Sequence, residues 1–286
     1  MNRKRLAVVV ISLLAIVLSW WQLSAPQRGL TVRALARDGV PLLYLVRTDA
    51  VQAPGVLVAH GFAGSKQVML GYGYTLAHAG YAVMLWDFDG HAANPAPLDR
   101  AVGLQRNVDT ALAALLEQPE VDAARLAIVG HSMGSGVAMT AGIAAPERYA
   151  AVVAISPTAA EVSADAPRNL LLQAGSWEGR FVANAESLLA AAGGPNADLA
   201  GGRARQLTVI PNVEHMSILF SPASHRATLD WLNDTFGLTT VMPYTDRRIL
   251  WYLLHLLAWL GLTVAVAPAL RSGWPAEPRA PGWKRW

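Results

Sequence analysis

The chain of 286 residues contains no cysteine, so neither a disulfide framework nor a thiolate metal site is available to it. Charge is also scarce. Charged residues make up 15% of the sequence and the formal net charge is +3, which leaves no basic footprint for nucleic acid. There is no H-E-x-x-H pair, no P-loop, no dinucleotide-binding glycine fingerprint and no internal repeat. What the sequence has in excess is apolar side chains, at 53% of residues, and the excess is concentrated at the two ends.

Residues 6–23 carry no charge and follow the cluster Arg3-Lys4-Arg5. Such a run crosses a hydrocarbon core of ~30 Å at about 1.5 Å per helical residue. Trp20 and Trp21 fall where an interfacial aromatic belt lies. A cleaved signal peptide is the rival reading, but Leu23-Ser24-Ala25 is a poor cleavage site and Pro26 follows it. An uncleaved signal anchor is therefore expected. Residues 249–270 form a second uncharged run, with Trp251 and Tyr252 at its start and Trp274 beyond its end. It is apolar on all sides, unlike a helix that covers a core with one face. His255 within it is placed at the interface or against the other helix. Arg3-Lys4-Arg5 and the tail residues Arg271, Arg279, Lys284 and Arg285 outweigh Arg247 and Arg248. Both ends are thus expected inside, and the intervening domain outside the cytoplasmic membrane. The division expected is an anchor over 1–28, a globular domain over 29–237, and a second spanning helix with a basic tail over 238–286.

Between the anchors, strand-like and helical patterns alternate. Residues 30–36 and 40–47, joined by Asp38-Gly39, read as an opening hairpin. Compact Val/Ile/Leu-rich runs follow at 55–59, 81–86, 126–129, 150–155, 170–173 and 206–210, as suits strands buried on both faces. Helical patterns separate most of them, at 67–79, 101–117, 136–145, 181–192 and 223–236. The layout predicts an α/β domain with an eight-stranded, mostly parallel sheet, helices on both faces and an antiparallel start.

Gly130-His131-Ser132-Met133-Gly134 stands directly after the apolar run Leu126-Ala127-Ile128-Val129 and before a helix of small residues. A serine on a sharp strand-to-helix turn needs glycines two positions to either side, because no side chain fits there. With these residues the segment 29–237 resembles the α/β-hydrolase family, with the elbow after the fifth strand. The resemblance does not extend to the two apolar ends. It implies a nucleophile at Ser132, then an acid, then a histidine base. His215 lies between the last strand and the last helix, where the family has its base. His225, at the start of that helix, reads as a solvated or capping residue. The family's acid position, after Leu172-Gln173-Ala174-Gly175, holds Glu178, a glutamate in place of the usual aspartate. Glu161 and Asp165 are the fallback acids, and Glu214 is too close to His215 in sequence to orient its ring.

The resemblance also implies an oxyanion hole made of the Met133 N–H and the Phe62 N–H. Phe62 lies in the loop His60-Gly61-Phe62-Ala63-Gly64, which is similar to the family's H-G-x loop. Asp87-Phe88-Asp89-Gly90-His91 matches a structural loop of the family, with Asp89 where an arginine is usual, rather than a metal site. Gly71 and Gly73 read as close-packing positions in a helix. Residues 156–168 are too few for a helical cap, so an open site rimmed by Phe62, Trp177 and Met216 is expected. Such a rim favours an apolar acyl or aromatic group. The function this implies is a membrane-anchored serine esterase of lipase type, with the bilayer as partner and no cofactor. A peptidase or acyltransferase using the same triad, or a membrane-bound binding module without catalysis, are the alternatives.

Overall fold

The computed structural model describes residues 2–239 and 244–272, with side-chain surroundings as far as residue 268. Trp274, Arg279 and Lys284-Arg285 lie outside the described residues, as does the Arg271 side chain. The first elements in chain order are α1 (Arg3–Ser24), β1 (Leu30–Arg37), β2 (Val40–Arg47), β3 (Ala53–Ala59), α2 (Leu70–His78), β4 (Ala82–Trp86) and α3 (Gly103–Leu116). Then come β5 (Val121–His131), α4 (Met133–Ala144), β6 (Ala151–Ile155), β7 (Leu170–Gly175), α5 (Gly179–Ala191), β8 (Arg205–Ile210), α6 (Pro222–Phe236) and α7 (Arg248–Ser272). They fall into two compact units, Gln27–Asp246 and the pair Met1–Pro26 with Arg247–Trp286.

In the larger unit all eight strands form one sheet in the order β1-β2-β4-β3-β5-β6-β7-β8. The β1–β2 and β2–β4 pairings are antiparallel, and all the others are parallel. Alternate side chains leave the central strands on opposite faces. Leu57, Met84 and Ile128 join one buried cluster, while Val56, Val58 and Val129 join the other. Buried on both faces, these strands read in sequence as continuous apolar runs, and each fully buried Val, Leu or Ile contributes about 1.5–3 kcal/mol.

The element boundaries depart from the periodicity where side chains bind backbone. The helix expected from residue 67 begins at Leu70, because the backbone N–H and the ammonium of Lys66 are both tied to buried Asp87. β5 begins before the apolar stretch, at Val121, with an irregularity between Pro54 and Gly55 at which Ala123, Ala124 and Arg125 drop out of the pairing with β3. The unit also continues past Gly237, the boundary expected from sequence, to Asp246, where Tyr244 stacks on His78 at 4.7 Å.

The smaller unit is inverted in its burial. In α1 the buried residues are Ser12 and Ser19, whereas Ile11, Leu14 and Val17 are at least 65% exposed. In α7 Ala258 and Ala265 are buried, and Ser12 Oγ lies against Gly261. Small and polar residues thus form the seam between α1 and α7. His255 belongs to this seam. Trp259 Nε1–H donates to its Nε2 at 3.0 Å, so Nδ1 carries the proton and donates to Ser19 Oγ at 2.9 Å. Ser19 in turn donates to the Ala15 carbonyl at 2.8 Å. Both helices are long and apolar enough to cross a membrane.

Candidate active site

Ser132 occupies φ 53°, ψ −120° between β5 and α4, a conformation that costs a non-glycine residue about 1–3 kcal/mol. Its own N–H donates to the Ile155 carbonyl on the neighbouring strand at 2.9 Å, which helps to hold the turn. The glycines of the motif have local steric reasons. A Cβ on Gly130 would overlap the Gly134 carbonyl, and one on Gly134 would press on the Ala59 and His60 carbonyl oxygens at 2.7 and 2.5 Å.

His215, in the loop after β8, places Nε2 3.0 Å from Ser132 Oγ. Its Nδ1–H donates to Glu178 Oε1 at 2.6 Å. Glu178 sits at the N-terminal cap of α5 with its side chain 2% exposed. The second carboxylate oxygen accepts from the Gly175 N–H at 2.6 Å and the Ser156 O–H at 2.9 Å. Burial opposes ionisation of this carboxyl and is the largest single influence on it. The bonds from His215, Gly175 and Ser156 together outweigh burial and hold its pKa below the ordinary glutamate value. Glu161 and Asp165 are exposed and make no bond to His215. Glu214 folds onto its own loop, accepting from the N–H groups of Met216 and Ser217.

Two further groups fix the imidazole. Phe181 stacks on the His215 ring at 4.4 Å and 16°. His131, inside the motif, donates from Nε2 to the His215 carbonyl at 3.0 Å. Burial first, then the neighbouring His215, pulls the His131 pKa down to about 4, so the ring is neutral. Sequence reasoning missed His131, Ser156 and Phe181 as supports. His131 occupies a variable position of the motif, and the other two meet the site only in three dimensions.

The loop after β3 approaches Ser132 closely, since a Cβ on Gly61 would lie 3.0 Å from Ser132 Cβ. His60 braces this loop. The Phe88 N–H donates to its Nε2 at 3.1 Å, which leaves Nδ1–H to donate to the Gly61 carbonyl at 2.7 Å. Burial, chiefly, lowers the His60 pKa to about 4. Met133 is the first residue of α4, so its N–H has no intrahelical acceptor. Neither that N–H nor the Phe62 N–H meets a hydrogen-bond acceptor among the described residues.

Asp87 and Asp89 are held by the fold. Asp87 pairs with Lys66, and Asp89 accepts from Asn94, Asn107 and Arg106. Arg106 on α3 thus brings a guanidinium to the loop in which the family's arginine is replaced. His225 corrects the sequence reading. It is 2% exposed, donates from Nε2 to the Leu219 carbonyl at 2.9 Å and packs edge-on to Tyr72. It lies directly over Gly71, where no Cβ would fit.

A cleft of about 590 Å³ opens at Ser132 and Met133, bounded by α3, α4 and the start of α5. Phe62, Leu104, Val137 and Phe181 give it apolar walls, and Arg100 and Arg180 line it as well. Trp177 and Met216, expected on the rim, are 68% and 50% exposed and do not line this cleft. With the Glu178 side chain turned inward to His215, its neighbour Trp177 is left facing solvent. Between β6 and β7, residues 156–169 contain no helix.

The family profile described as "Serine aminopeptidase, S33" matches residues 52–221. An uncharacterized protein of Mycobacterium tuberculosis is 35% identical over 141 residues, covering 48% of this chain and 49% of that protein. The chain therefore matches about half the length of that curated relative. Among solved structures, a hormone-sensitive lipase from a metagenome library superposes with a TM-score of 0.57 at 18% identity, covering 77% of this chain and 92% of the lipase. A membrane phospholipase A described as a bacterial virulence factor superposes with a TM-score of 0.54 at 15% identity, covering 82% and 99%. These structures share the fold. With the family profile spanning β3 to the start of α6, the chain belongs to the α/β-hydrolases of the serine aminopeptidase S33 family.

Proposed function

We propose that the protein is a membrane-anchored serine hydrolase that cleaves carboxylic esters through an acyl-enzyme on Ser132. The relay Ser132–His215–Glu178, with links of 3.0 and 2.6 Å, is the observation that carries this reading. Ser132 Oγ attacks the ester carbonyl carbon while its proton passes to His215 Nε2. Ionised Glu178 stabilises the imidazolium through Nδ1–H. The oxyanion lies between the N–H groups of Phe62 and Met133. Collapse of the tetrahedral intermediate breaks the ester C–O bond, and the alcohol leaves with the proton from His215. Water then attacks the acyl-enzyme, giving its proton to His215, and the acid departs as Ser132 regains that proton.

The family's name raises aminopeptidase activity as a second reading. A substrate with a free α-ammonium needs a carboxylate in its binding site. The cleft lining contains two arginines and no acidic residue, which favours the ester reading. The apolar outer surface of α1 and α7, with serines and alanines at their seam, supports anchoring in a bilayer. The cluster Arg3-Lys4-Arg5 ahead of α1 supports a cytoplasmic side for that flank and, with α1 spanning, an extracytoplasmic side for the larger unit.

Fluorophosphonate labelling and p-nitrophenyl ester turnover of the detergent-solubilised chain test the catalytic reading. Labelling and turnover by wild type, with both lost in Ser132→Ala and His215→Ala, support it. A folded wild type that does neither refutes it, and faster cleavage of alanine p-nitroanilide than of the ester would replace it with the peptidase. Release of the protein from membranes by alkaline carbonate would refute the anchoring.

A further inference from the structure

We propose that Arg100 and Arg180 make the cleft at Ser132 selective for esters that carry an anionic group, a phosphate or carboxylate, beside an apolar acyl chain. The inference rests on the ester-hydrolase reading and adds to it a substrate class. The two arginines are the charged side chains lining the cleft, and no Asp or Glu lines it. Neither guanidinium meets a carboxylate among the described residues. Several arginines elsewhere in the unit are paired with carboxylates, as Arg33 is with Glu120 and Arg203 with Asp198. A positive pair left open beside an apolar wall asks for a ligand with one anionic end.

Both arginines are coupled to parts of the proposed machinery. Arg100 lies over the Phe62 ring, 4.9 Å from its centroid, and Phe62 carries one of the two oxyanion-binding N–H groups. Arg180 stands between Glu178 and Phe181, the residue stacked on His215. An anion held by the guanidinium forks would therefore sit close to the scissile ester. Leu104, Val137 and Phe181 offer the acyl chain a dry wall in the same cleft. The sequence-based expectation of an apolar group rests on Phe62, Trp177 and Met216, of which Phe62 alone lines this cleft. Both arginines are exposed, so their combined effect is set at about tenfold in kcat/KM rather than the larger value of buried charge pairs.

The test compares esters that differ only in the anion, using the full chain in detergent. 1-Butyrylglycerol is set against its 3-phosphate as a soluble pair, and 1-oleoylglycerol against its 3-phosphate as a micellar pair. The phosphorylated ester is expected to have a kcat/KM about tenfold higher, with the preference reduced towards one in Arg100→Gln/Arg180→Gln and by 0.5 M NaCl. Arg180→Glu should shift the ratio further, raising turnover of the butyryl ester of choline relative to 1-butyrylglycerol. A preference present only in micelles assigns the anion to a lipid headgroup, and one present in both pairs to anionic esters in general. Wild type that cleaves the neutral ester as well as its phosphate, or a preference that survives the double substitution, overturns the inference and leaves the hydrolase standing. Absence of both ester turnover and fluorophosphonate labelling removes the hydrolase reading and this inference together.

Discussion

Glutamine in place of Glu178 changes one atom and, by the geometry around it, moves a proton at the other end of the relay. Glu178 Oε2 accepts two donors, the Gly175 N–H and the Ser156 O–H. In Glu178→Gln the amide oxygen must keep that position, because an NH2 there would face the Gly175 N–H with no lone pair to offer. The NH2 then stands opposite His215 Nδ1, where the carboxylate had been at 2.6 Å. Nδ1 must accept, so the ring proton moves to Nε2. That nitrogen is the one facing Ser132 Oγ, and once protonated it cannot take the serine's proton. Loss of the correct tautomer and of the negative charge lowers kcat about 10⁴-fold, which is roughly 5 kcal/mol of transition-state stabilisation. The fold should survive, since glutamine matches the shape and keeps both bonds at Oε2. Glu178→Asp is a contrasting case. Its carboxylate is withdrawn by about one C–C bond of 1.5 Å, and a misplacement of that size costs about 10². The assay is p-nitrophenyl butyrate turnover with the fluorophosphonate labelling rate alongside, in protein whose near-UV circular dichroism matches wild type. Residual Glu178→Gln activity should keep rising with pH as hydroxide assumes the role of base. Activity of Glu178→Gln within tenfold of wild type would refute the tautomer argument.

Ser132→Gly and Ser132→Ala should both be inactive, but the glycine variant should be the more stable by about 1 kcal/mol, because it relaxes at φ 53°. Equal urea midpoints would show that the elbow stores no strain. The buried rings of His60 and His131, each with a pKa near 4, should make the larger unit acid-sensitive. As pH falls below about 6.5, the unfolded chain takes up protons that the folded one refuses. Stability is therefore lost between about pH 6.5 and 4, by roughly 2 kcal/mol per ring at pH 5. An unfolding midpoint unchanged from pH 7 to 5 would contradict the neutral burial of both rings. Gly61→Ala should push the loop away from Ser132 Cβ and lower kcat by about 10², as loss of an oxyanion donor does. Normal turnover in that variant would place the oxyanion elsewhere.

The sequence determined the features that local chemistry dictates. Strands buried on both faces must be continuous apolar runs, so the sheet was legible from Val, Ile and Leu at 55–59 and 126–129. The elbow was legible because its strain requires glycine at 130 and 134, whatever surrounds it. Chain order then narrowed the relay to His215 and to a short set of acids. The resemblance put Glu178 ahead of Glu161 and Asp165, but its contact with the His215 ring belongs to tertiary structure, because a carboxylate becomes the partner of an imidazole by distance and by inward burial at a helix cap. His225, His131 and the cleft lining escaped for the same reason. Nothing in the order of residues tells that the His225 ring lies over Gly71, or that the His131 ring reaches the His215 carbonyl. Arg100 and Arg180 are 80 positions apart on separate connections. Only the packing of α3, α4 and α5 around Ser132 brings their charges into one cleft, since side chains meet by the folding of the backbone rather than by their spacing along it.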